Sequence, residues 1–328
     1  MAAGLGTRLR PLTYEVPKPM VPVANRPVME HILRLLRRQG FGEVIANLHW
    51  FPETIEGHFG DGSELGIELS YLREPELTGT AGGVRAVGDF LTAEAGPFLV
   101  MAGDALSDID LNALVAAHRE RGGVATLATK RVPNVSEYGV VIAGEDGRIQ
   151  GFQEKPEPAE ALSDLASCMI YVLEPEVFDH FPEADPVDFA LDVFPRLLER
   201  DVPFHVHVVD SYWNDVGSLP EYLAGNLDTL TGKVRVERGG EVVHGGEDAE
   251  APAEQEGGWE LVGEVLIGNE AEIGPGALIE GPCVIGPDAR IGPGARVKES
   301  VLLPQAEIPA DGLLAGAIAG HRGALGDG

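Results

Sequence analysis

Lysine and cysteine are scarce in this chain of 328 residues, and acidic residues far outnumber basic ones. Only five of the 24 basic residues are lysines, and the 53 acidic residues give a formal net charge of −29. A surface of this sign repels nucleic-acid backbones and anionic lipids, so we expect neither nucleic-acid binding nor membrane binding. A site for an anionic ligand must therefore be a local concentration of positive charge.

The chain also lacks features of exported and membrane proteins. Its N-terminus shows no signal-peptide pattern, and no apolar run is long enough to cross a bilayer. The two cysteines, Cys168 and Cys283, are far apart in sequence, which argues against a disulfide framework or a zinc knuckle. We therefore expect a cytoplasmic protein with reduced, buried thiols.

Residues 1–231 alternate strand-like and helix-like segments. Predicted helices include Leu111 to Arg121, Phe189 to Arg200, and a helix that begins after Pro27 and ends at Gly40. The predicted strands are Glu43 to Leu48, Ile67 to Leu72, Pro97 to Met101, Val124 to Thr129, Tyr138 to Ile142 and Phe204 to Val209. This alternation predicts an α/β fold with a doubly wound, mostly parallel, Rossmann-like sheet covered by helices on both faces.

Residues 232–258 lose this alternation. The part from Gly239 to Glu260 contains seven acidic residues, no lysine or arginine, and many glycines and alanines. Such a composition predicts an acidic flexible linker.

A repeat of period six follows the linker. Aliphatic residues recur at Ile267, Ile273, Ile279, Ile285, Ile291 and Val297. Short strands joined by tight corners would turn every sixth side chain inward. The pattern resembles a left-handed parallel β-helix of hexapeptide repeats, in which about 18 residues form one triangular coil. We predict such a β-helix over residues 259–309 and a Gly- and Ala-rich tail over residues 310–328.

A glycine-rich loop lies at the start of the chain. Residues 4–13 read G-L-G-T-R-L-R-P-L-T, and P-K-P follows at residues 17–19. Gly4 and Gly6 allow backbone N–H groups to approach a polyphosphate without a Cβ in the way. Thr7, Arg8 and Lys18 add a hydroxyl group and two positive charges, so the loop is a candidate phosphate site.

This string resembles the signature of the sugar-1-phosphate nucleotidylyltransferases, or NDP-sugar pyrophosphorylases, and among them the mannose-1-phosphate guanylyltransferase-like proteins. Four further segments resemble parts of the same family: G-T-A-G at residues 79–82, G-D ending at Asp104, E-K-P at residues 154–156, and W-N-D-V-G at residues 213–217. The resemblance implies that a sugar 1-phosphate oxygen attacks the α-phosphorus of a nucleoside triphosphate and displaces pyrophosphate. Members of this family carry a hydrophobic strand before the loop, so we expect the first strand of the domain to be missing and an in-frame coding sequence to precede Met1. The alternative is that the loop lacks this supporting strand and that activity is lost.

The resemblance also assigns residues to the phosphates and to a metal ion. Arg8 would hold the β- and γ-phosphates as pyrophosphate leaves, and Lys18 would contact the α-phosphate region. Asp104 and Asp215 would bind Mg²⁺, which prefers carboxylate oxygens. The alternative for Asp104 is an ordinary cap or turn role, since Asp is common after strands. The nucleotide-binding residues of the loop would be Ala3, Gly4, Gly6 and Thr7.

Base recognition is predicted near Glu74 and the loop that contains Gly79 and Thr80. Thymidylyl and uridylyl relatives commonly carry a glutamine near the position of Glu74, where it contacts the pyrimidine. A carboxylate accepts hydrogen bonds from the N1–H and N2–H₂ groups of guanine and is repelled by the carbonyl groups of uracil and thymine. Glu74 therefore favours GTP; the alternative is that Glu74 is a solvated loop residue.

The sugar 1-phosphate is assigned to the segments around E-K-P. The resemblance implies that Glu154 accepts hydrogen bonds from sugar hydroxyl groups and that Lys155 pairs with the sugar phosphate. Gly139 would let the backbone approach the sugar, with Ser167 nearby. Met169 lies where related sequences often carry glycine, so the sugar preference of relatives does not transfer directly.

The favoured substrates are GTP and mannose 1-phosphate. A glucose-1-phosphate thymidylyltransferase, or another NDP-sugar pyrophosphorylase, is the first alternative. A bifunctional enzyme with acyltransferase activity would need a longer β-helix and a catalytic histidine in it. A non-catalytic homologue that binds nucleotide or sugar phosphate is the remaining alternative.

We expect a homo-oligomer, because a short β-helix exposes ends and strand edges that favour association.

Overall fold

The computed structural model describes residues 1–246, 252–320 and 323–327. The chain divides into two compact units. The first unit contains residues 1–5, 33–103 and 109–213, and the second contains residues 6–32, 104–108 and 214–328. The units therefore do not follow the order of the chain, because the glycine-rich loop from Gly6 onward belongs with the C-terminal part.

The first unit is an α/β structure with a mixed central sheet. Its strand order is Phe204–Val208, Ala125–Arg131, Leu165–Leu173, Gly139–Ala143 and Ile149–Glu154, with Phe98–Met101 also paired to Leu165–Leu173. The strand Leu165–Leu173 runs antiparallel to each of its three neighbours, whereas Phe204–Val208 runs parallel to Ala125–Arg131. A further parallel pair consists of Glu43–Leu48 and Glu68–Arg73.

The prediction of a mostly parallel sheet was therefore wrong in strand direction. Apolar runs mark strands but do not reveal which way they run. The strands Gly139–Ala143 and Ile149–Glu154 are joined by five residues, too few for the crossover that parallel neighbours need. The short connection forces an antiparallel hairpin.

The helices that border this sheet follow the sequence pattern closely. Leu111–Arg121 has the predicted bounds and begins at the N-cap Asp110, whose side chain accepts a hydrogen bond from the backbone N–H of Ala113. The predicted helix from Phe189 to Arg200 consists of a π-helical turn, Phe189–Val193, and an α-helix, Phe194–Glu199. The remaining α-helices with residues in the first unit are Val28–Arg38, Pro52–Phe59, Thr80–Ala86 and Gly88–Leu91.

The core of the first unit is formed by side chains of the central sheet and of Thr80–Ala86, Phe189–Val193 and Phe194–Glu199. It is rich in aromatic residues, and Phe194 stacks with Phe152, Phe189 and Phe204 at centroid distances of 5.4 to 5.9 Å. Burial of such side chains is the main term that stabilises a domain of this size. Both predicted buried thiols are confirmed, since Cys168 and Cys283 are buried and unpaired.

The second unit begins with three short 3₁₀ turns, Thr7–Leu9, Leu12–Tyr14 and Lys18–Met20. A small hairpin follows, formed by Pro22–Val23 and Arg26–Pro27. Its turn residues, Ala24 and Asn25, both have positive φ angles, as a tight hairpin turn requires.

Three segments of the second unit hold this turn. Ala24 N–H donates to Asn226 Oδ1 in the helix Leu219–Leu230, and Gly239 N–H donates to the carbonyl of Ala24. Asn25 Nδ2 donates to the carbonyl of Ile285 at 2.9 Å. The hairpin after the P-K-P segment is thus fixed by a helix and by the C-terminal strands.

In the C-terminal region the chain visits three parallel sheets in turn. Strands pair in parallel with strands 17 or 18 residues later, as Glu260 does with Leu278 and Val284 does with Val301. Each member of the predicted six-residue row is buried or half-buried, and Ile279 pairs with Val297. The periodic row was therefore predicted correctly. The strands of this region are Glu260–Val262, Glu264–Ile267, Glu272–Ile273, Leu278–Glu280, Cys283–Ile285, Arg290–Ile291, Arg296–Lys298, Val301–Leu302, Glu307–Ile308, Leu313–Ala315, Ala317–Gly320 and Gly323–Asp327.

Strands also occur in the segments predicted as linker and tail. Glu241–His244 pairs antiparallel with Glu264–Ile267, and Ala253–Glu254 pairs with Leu261 and Glu260. These strands pair with the first strands of the C-terminal sheets, whose edges would otherwise expose unpaired backbone groups. Beyond residue 309 the strands Leu313–Ala315 and Ala317–Gly320 continue the parallel sheets. Residues 247–251 of the predicted linker and residues 321, 322 and 328 of the predicted tail lie outside the described residues.

No helix in the described part of the chain combines the length and the apolar character needed to cross a membrane.

Candidate active site

The glycine-rich loop begins in the first unit beside the strand Phe98–Met101. The N-terminal ammonium of Met1 donates to the carbonyl of Met101 at 2.7 Å, and Gly103 N–H donates to the carbonyl of Met1. Ala2 and Ala3 are buried, whereas Gly4 is exposed. A Cβ on Gly4 would meet no described atom within 4 Å, so the backbone here is open to a ligand.

In the second unit, Gly6 provides the conformation that the loop needs. Its φ angle is +61°, and a Cβ would lie 3.0 Å from Lys18 Cβ and 3.1 Å from Thr13 Cγ2. The hydroxyl of Thr13 donates to the carbonyl of Gly6 at 2.7 Å. Thr7 and Arg8, which follow Gly6, are both exposed. The loop therefore packs against the P-K-P segment and presents its polar side chains to solvent.

Four charged residues predicted for the phosphates and the metal lie close together in the second unit. The ammonium of Lys18, whose side chain is 10% exposed, is 3.0 Å from Asp104 Oδ2 and donates to the carbonyl of Asp215 at 2.7 Å. Arg8 Nη2 lies 3.4 Å from Asp215 Oδ2. Lys18 thus connects the two segments that carry the carboxylates.

The Asp215 carboxylate is in an unusual environment. Burial and the neighbouring Glu221 carboxylate raise the pKa of Asp215, while Lys18 and Arg8 oppose this shift. Its Oδ1 atom is buried and has no hydrogen-bond partner in the described structure. A buried charged oxygen without a partner is unfavourable unless a ligand completes the site.

These residues fit a hard divalent cation. Mg²⁺ is usually held by one or two carboxylates together with substrate phosphates, so a site without a third protein ligand is sufficient. In the described residues no group of three or more His, Cys, Asp and Glu side chains forms a closed metal site. The unpaired Oδ1 of Asp215 and the partly exposed Asp104 carboxylate are the available ligands.

Glu74 is buried in the first unit, and both of its carboxylate oxygens are engaged. Oε1 accepts from Asn47 Nδ2 at 2.6 Å, and Oε2 accepts from the backbone N–H and the hydroxyl of Thr78 at 3.1 and 2.7 Å. Asn47 Oδ1 in turn accepts from Ala2 N–H at 3.0 Å. This geometry opposes both sequence interpretations of Glu74, the base reader and the solvated loop residue, and favours a role in holding the backbone of the loop.

Asn47 is a residue of this region that the sequence analysis missed. It lies near the end of the predicted strand Glu43–Leu48 and is buried. A polar residue at an otherwise buried strand end was the available signal. Gly83 is packed against it, since a Cβ there would lie 2.5 Å from Asn47 Nδ2.

Gly79 and Thr80 are fixed by a neighbouring segment of the first unit. A Cβ on Gly79, whose φ is +86°, would lie 2.2 Å from the carbonyl oxygen of Val187, so only glycine fits. The Thr80 hydroxyl donates to Asp188 Oδ2 at 2.7 Å and accepts from Phe189 N–H at 3.0 Å. The Thr80 side chain therefore caps a turn, which leaves the backbone of this loop as the part that could face a ligand.

The residues predicted for the sugar 1-phosphate lie along neighbouring strands of the first unit. Gly139 is the register partner of Glu154, and Ala166, next to Ser167, is the partner of Val140. Lys155 Nζ lies 3.7 Å from Glu154 Oε1, and both side chains are about half exposed. The structure therefore brings these four residues to one part of the sheet.

Met169 has a positive φ of 53°, within a β-bulge between Ser167 and Tyr171. This conformation favours glycine, which explains why a glycine would suit the position. Met169 is 36% exposed, and its carbonyl accepts a hydrogen bond from Ala102 N–H. The chain thus places a long, partly exposed side chain beside the residues predicted for the sugar.

Two family models match the chain in sequence. The model described as Nucleotidyl transferase matches residues 1–232, and the model described as GMPPB C-terminal domain matches residues 261–328.

Curated relatives and a solved structure agree with these matches. A UTP--glucose-1-phosphate uridylyltransferase from Synechocystis is 38% identical over 295 residues, which cover 86% of this chain and 76% of that protein. A mannose-1-phosphate guanylyltransferase from Mycobacterium tuberculosis is 36% identical over 287 residues, which cover 86% and 77%. The crystal structure of HddC from Yersinia pseudotuberculosis has a TM-score of 0.60 at 23% identity and covers 69% of this chain and 95% of that chain, which supports the Rossmann-like α/β fold.

The glycine-rich loop, the charged cluster around Lys18 and these matches lead to one conclusion: the chain belongs to the nucleotidyl transferase family.

Proposed function

We propose that this protein transfers a nucleotidyl group from a nucleoside triphosphate to a sugar 1-phosphate, giving an NDP-sugar and pyrophosphate. GTP and mannose 1-phosphate are the proposed substrates. The relatives named as mannose-1-phosphate guanylyltransferases, at 32–36% identity, support this choice.

The observation that carries the proposal is the cluster of Lys18, Asp104 and Asp215. The ammonium group of Lys18 lies between two segments that carry carboxylates, at 3.0 Å from Asp104 Oδ2 and 2.7 Å from the Asp215 carbonyl. In-line transfer of a nucleotidyl group needs cations and preorganised donors at the α-phosphate and little covalent chemistry from the protein. A cluster of this kind, next to a glycine-rich loop in sequence, suits that requirement.

Each residue of the cluster has a proposed role. Lys18 would stabilise negative charge on the α-phosphate, and exposed Arg8 would hold the β- and γ-phosphates as pyrophosphate leaves. Asp104 and Asp215 would hold Mg²⁺. When bound, this ion would neutralise phosphate charge and stabilise the charge that develops in the transition state. The N–H groups around Gly4 and Gly6 would donate to phosphate oxygens.

The sugar 1-phosphate would be bound by Glu154 and Lys155. Glu154 would accept hydrogen bonds from sugar hydroxyl groups, and Lys155 would pair with the phosphate. Gly139 and Ser167 would contact the sugar through the backbone and a hydroxyl group. Their common position on neighbouring strands supports this assignment.

UTP and glucose 1-phosphate are the second candidate substrates. The engagement of both Glu74 oxygens by Asn47 and Thr78 weakens the argument for guanine that the sequence offered. The uridylyltransferase from Synechocystis is also at least as similar to this chain as the guanylyltransferases named above.

A pyrophosphate-release assay tests the proposal. The purified protein and Mg²⁺ would be combined with each of GTP, UTP, dTTP, ATP and CTP, crossed with the 1-phosphates of mannose, glucose and N-acetylglucosamine. We expect the highest kcat/KM with GTP and mannose 1-phosphate. A preference for UTP and glucose 1-phosphate would support the second candidate, and turnover with none of the pairs would contradict the transferase proposal and support a binding protein.

The C-terminal sheets have a proposed architecture and role. The repeat of 17 or 18 residues over three parallel sheets supports a left-handed β-helix. We assign it a structural role, and we assign catalysis to residues 1–231. We expect the protein to be a cytoplasmic homo-oligomer. Size-exclusion chromatography with light scattering tests the oligomer, and a monomer at all concentrations would contradict it.

A further inference from the structure

Val216, in the W-N-D-V-G segment, has an unfavourable backbone conformation. Its φ is +47°, and its side chain is fully buried. A β-branched residue in the left-handed region is a steric outlier and persists only where neighbouring contacts hold it. The segment therefore needs a residue that stabilises this turn.

Asn214 makes the contacts that the turn needs. Its Oδ1 accepts from Val216 N–H at 2.7 Å, and its Nδ2 donates to the carbonyl of Glu221, in the helix Leu219–Leu230, at 3.0 Å. The amide thus closes a turn across Asp215 and ties it to the helix. An Asn side chain that bonds to the N–H two residues later is a common way to fix such a turn.

Two glycines leave space around this turn. A Cβ on Gly225, in the interior of the helix, would lie 3.3 Å from Asn214 Nδ2. A Cβ on Gly217 would lie 2.6 Å from Asp215 Oδ2 and 3.1 Å from Arg8 Nη1. Glycine in the interior of a helix is destabilising, so its presence at position 225 is explained by the space that the Asn214 amide requires.

The turn determines where the groups of Asp215 lie. With Asn214 in place, the Asp215 carbonyl accepts from Lys18 Nζ, and Asp215 Oδ1 stays buried without a partner in the described structure. We propose that Asn214 is a positioning residue, which holds the strained turn at Val216 and so aims the Asp215 carboxylate at a bound divalent cation. This inference rests on the proposed metal-binding role of Asp215.

The first test measures Mn²⁺ binding to the purified chain by electron paramagnetic resonance, without a sugar 1-phosphate but with the nucleoside triphosphate that gives the highest kcat/KM, which supplies the phosphate ligands. N214A is expected to lower Mn²⁺ affinity by about 10- to 100-fold, as loss of a group that orients a metal ligand commonly does. N214S keeps a hydroxyl that can accept from Val216 N–H and is expected to retain most of the affinity. The matched control is T229V, which removes a buried hydrogen bond from the same helix, to the carbonyl of Asn226, and should lower the melting temperature without changing Mn²⁺ affinity.

The second test asks whether Asn214 acts through the strain at Val216. In N214A/V216G, glycine removes that strain, so most of the lost Mn²⁺ affinity should return. The melting temperatures of the single and double variants should also be non-additive, with N214A less damaging in the V216G background. If N214A does not fold, G225A provides a second variant that crowds the amide and should weaken Mn²⁺ binding.

Any of three results would overturn the positioning role. These are wild-type Mn²⁺ affinity in N214A, an equal loss of Mn²⁺ affinity in T229V, or additive changes in melting temperature among N214A, V216G and the double variant. Failure of the wild-type protein to bind Mn²⁺ would instead contradict the proposed metal role of Asp215. The melting-temperature cycle needs no metal and would still decide whether Asn214 and Val216 are coupled.

Discussion

Lys18 and Asp104 form an ion pair of 3.0 Å in which the lysine side chain is 10% exposed and the aspartate side chain 33% exposed. The lysine is held from the other side by the carbonyl of Asp215. An ammonium group fixed in this way would be preorganised for the proposed phosphate ligand, because little rearrangement would be needed when the ligand binds.

Replacement of Asp104 by alanine should abolish Mg²⁺-dependent turnover and leave the fold intact. We expect kcat/KM to fall by at least about 100-fold, as for loss of a group that stabilises transition-state charge. Pyrophosphate release across a range of Mg²⁺ concentrations measures the effect, with circular dichroism to follow the fold. The matched control is D108N, a nearby carboxylate without a proposed role in the reaction, which should retain activity. Full activity of D104A would contradict the metal assignment.

Replacement of Glu74 by glutamine separates base recognition from positioning. Because the Glu74 carboxylate already accepts from Asn47 and Thr78, we expect kcat/KM to fall by a similar factor for GTP and UTP. The ratio of the two values should therefore stay constant. T78V, which removes one of the donors, should produce the same uniform loss. A change in the ratio of more than about tenfold, equivalent to 1.4 kcal/mol of discrimination, would show that Glu74 reads the base.

Substitutions of Met169 test whether its side chain limits the sugar. M169A removes most of the side chain and keeps the Cβ at positive φ, whereas M169G also relieves the backbone strain. If the side chain narrows the site, both variants should raise kcat/KM for N-acetylglucosamine 1-phosphate relative to mannose 1-phosphate. The stability of M169G should change by less than about 1 kcal/mol, since relief of strain and the greater freedom of glycine in the unfolded chain oppose each other. An unchanged sugar ratio in both variants would contradict the prediction.

His205 and His207 should make the protein less stable in mild acid. Burial, together with the positive charge of Arg121, lowers the pKa of both imidazoles in the folded protein below the ordinary value of 6.5. At pH values between the folded pKa and 6.5, the unfolded chain therefore binds more protons than the folded protein does. The free energy of unfolding falls as the pH decreases through 6.5 toward the folded pKa. Melting temperatures between pH 5 and pH 8 should show this loss, and H205Q/H207Q should reduce it. An equal loss in the double variant would exclude these histidines as its cause.

Features set by local pattern could be predicted from the sequence. The strand Glu43–Leu48 and the helix Leu111–Arg121 have the predicted bounds, and the six-residue row from Ile267 to Val297 lies inside the C-terminal sheets. Hydrophobic periodicity and helix caps involve residues only a few positions apart, so they can be detected in a single sequence.

Features that depend on residues far away in sequence could not be predicted from the sequence. The Glu74 carboxylate is engaged by Asn47, 27 residues away, and the direction of the strand Leu165–Leu173 depends on neighbours from three other segments. In the W-N-D-V-G segment the motif pointed to Asp215, but the role of Asn214 required the position of the Glu221 carbonyl. Contacts of this kind are tertiary and leave no periodic signal.

The hairpin turn at Ala24 and Asn25 makes the conformation of the segment after Lys18 depend on the C-terminal sheets. Because Asn25 donates to the carbonyl of Ile285 and Ala24 is bonded to Asn226 and Gly239, the segment that follows Lys18 is shaped in part by residues more than 200 positions later. One of these bonds, from Asn25 Nδ2 to the carbonyl of Ile285, is made with the C-terminal sheets. A chain shortened before Ile285 would lose this bond, so removal of the C-terminal sheets would loosen the turn that follows Lys18.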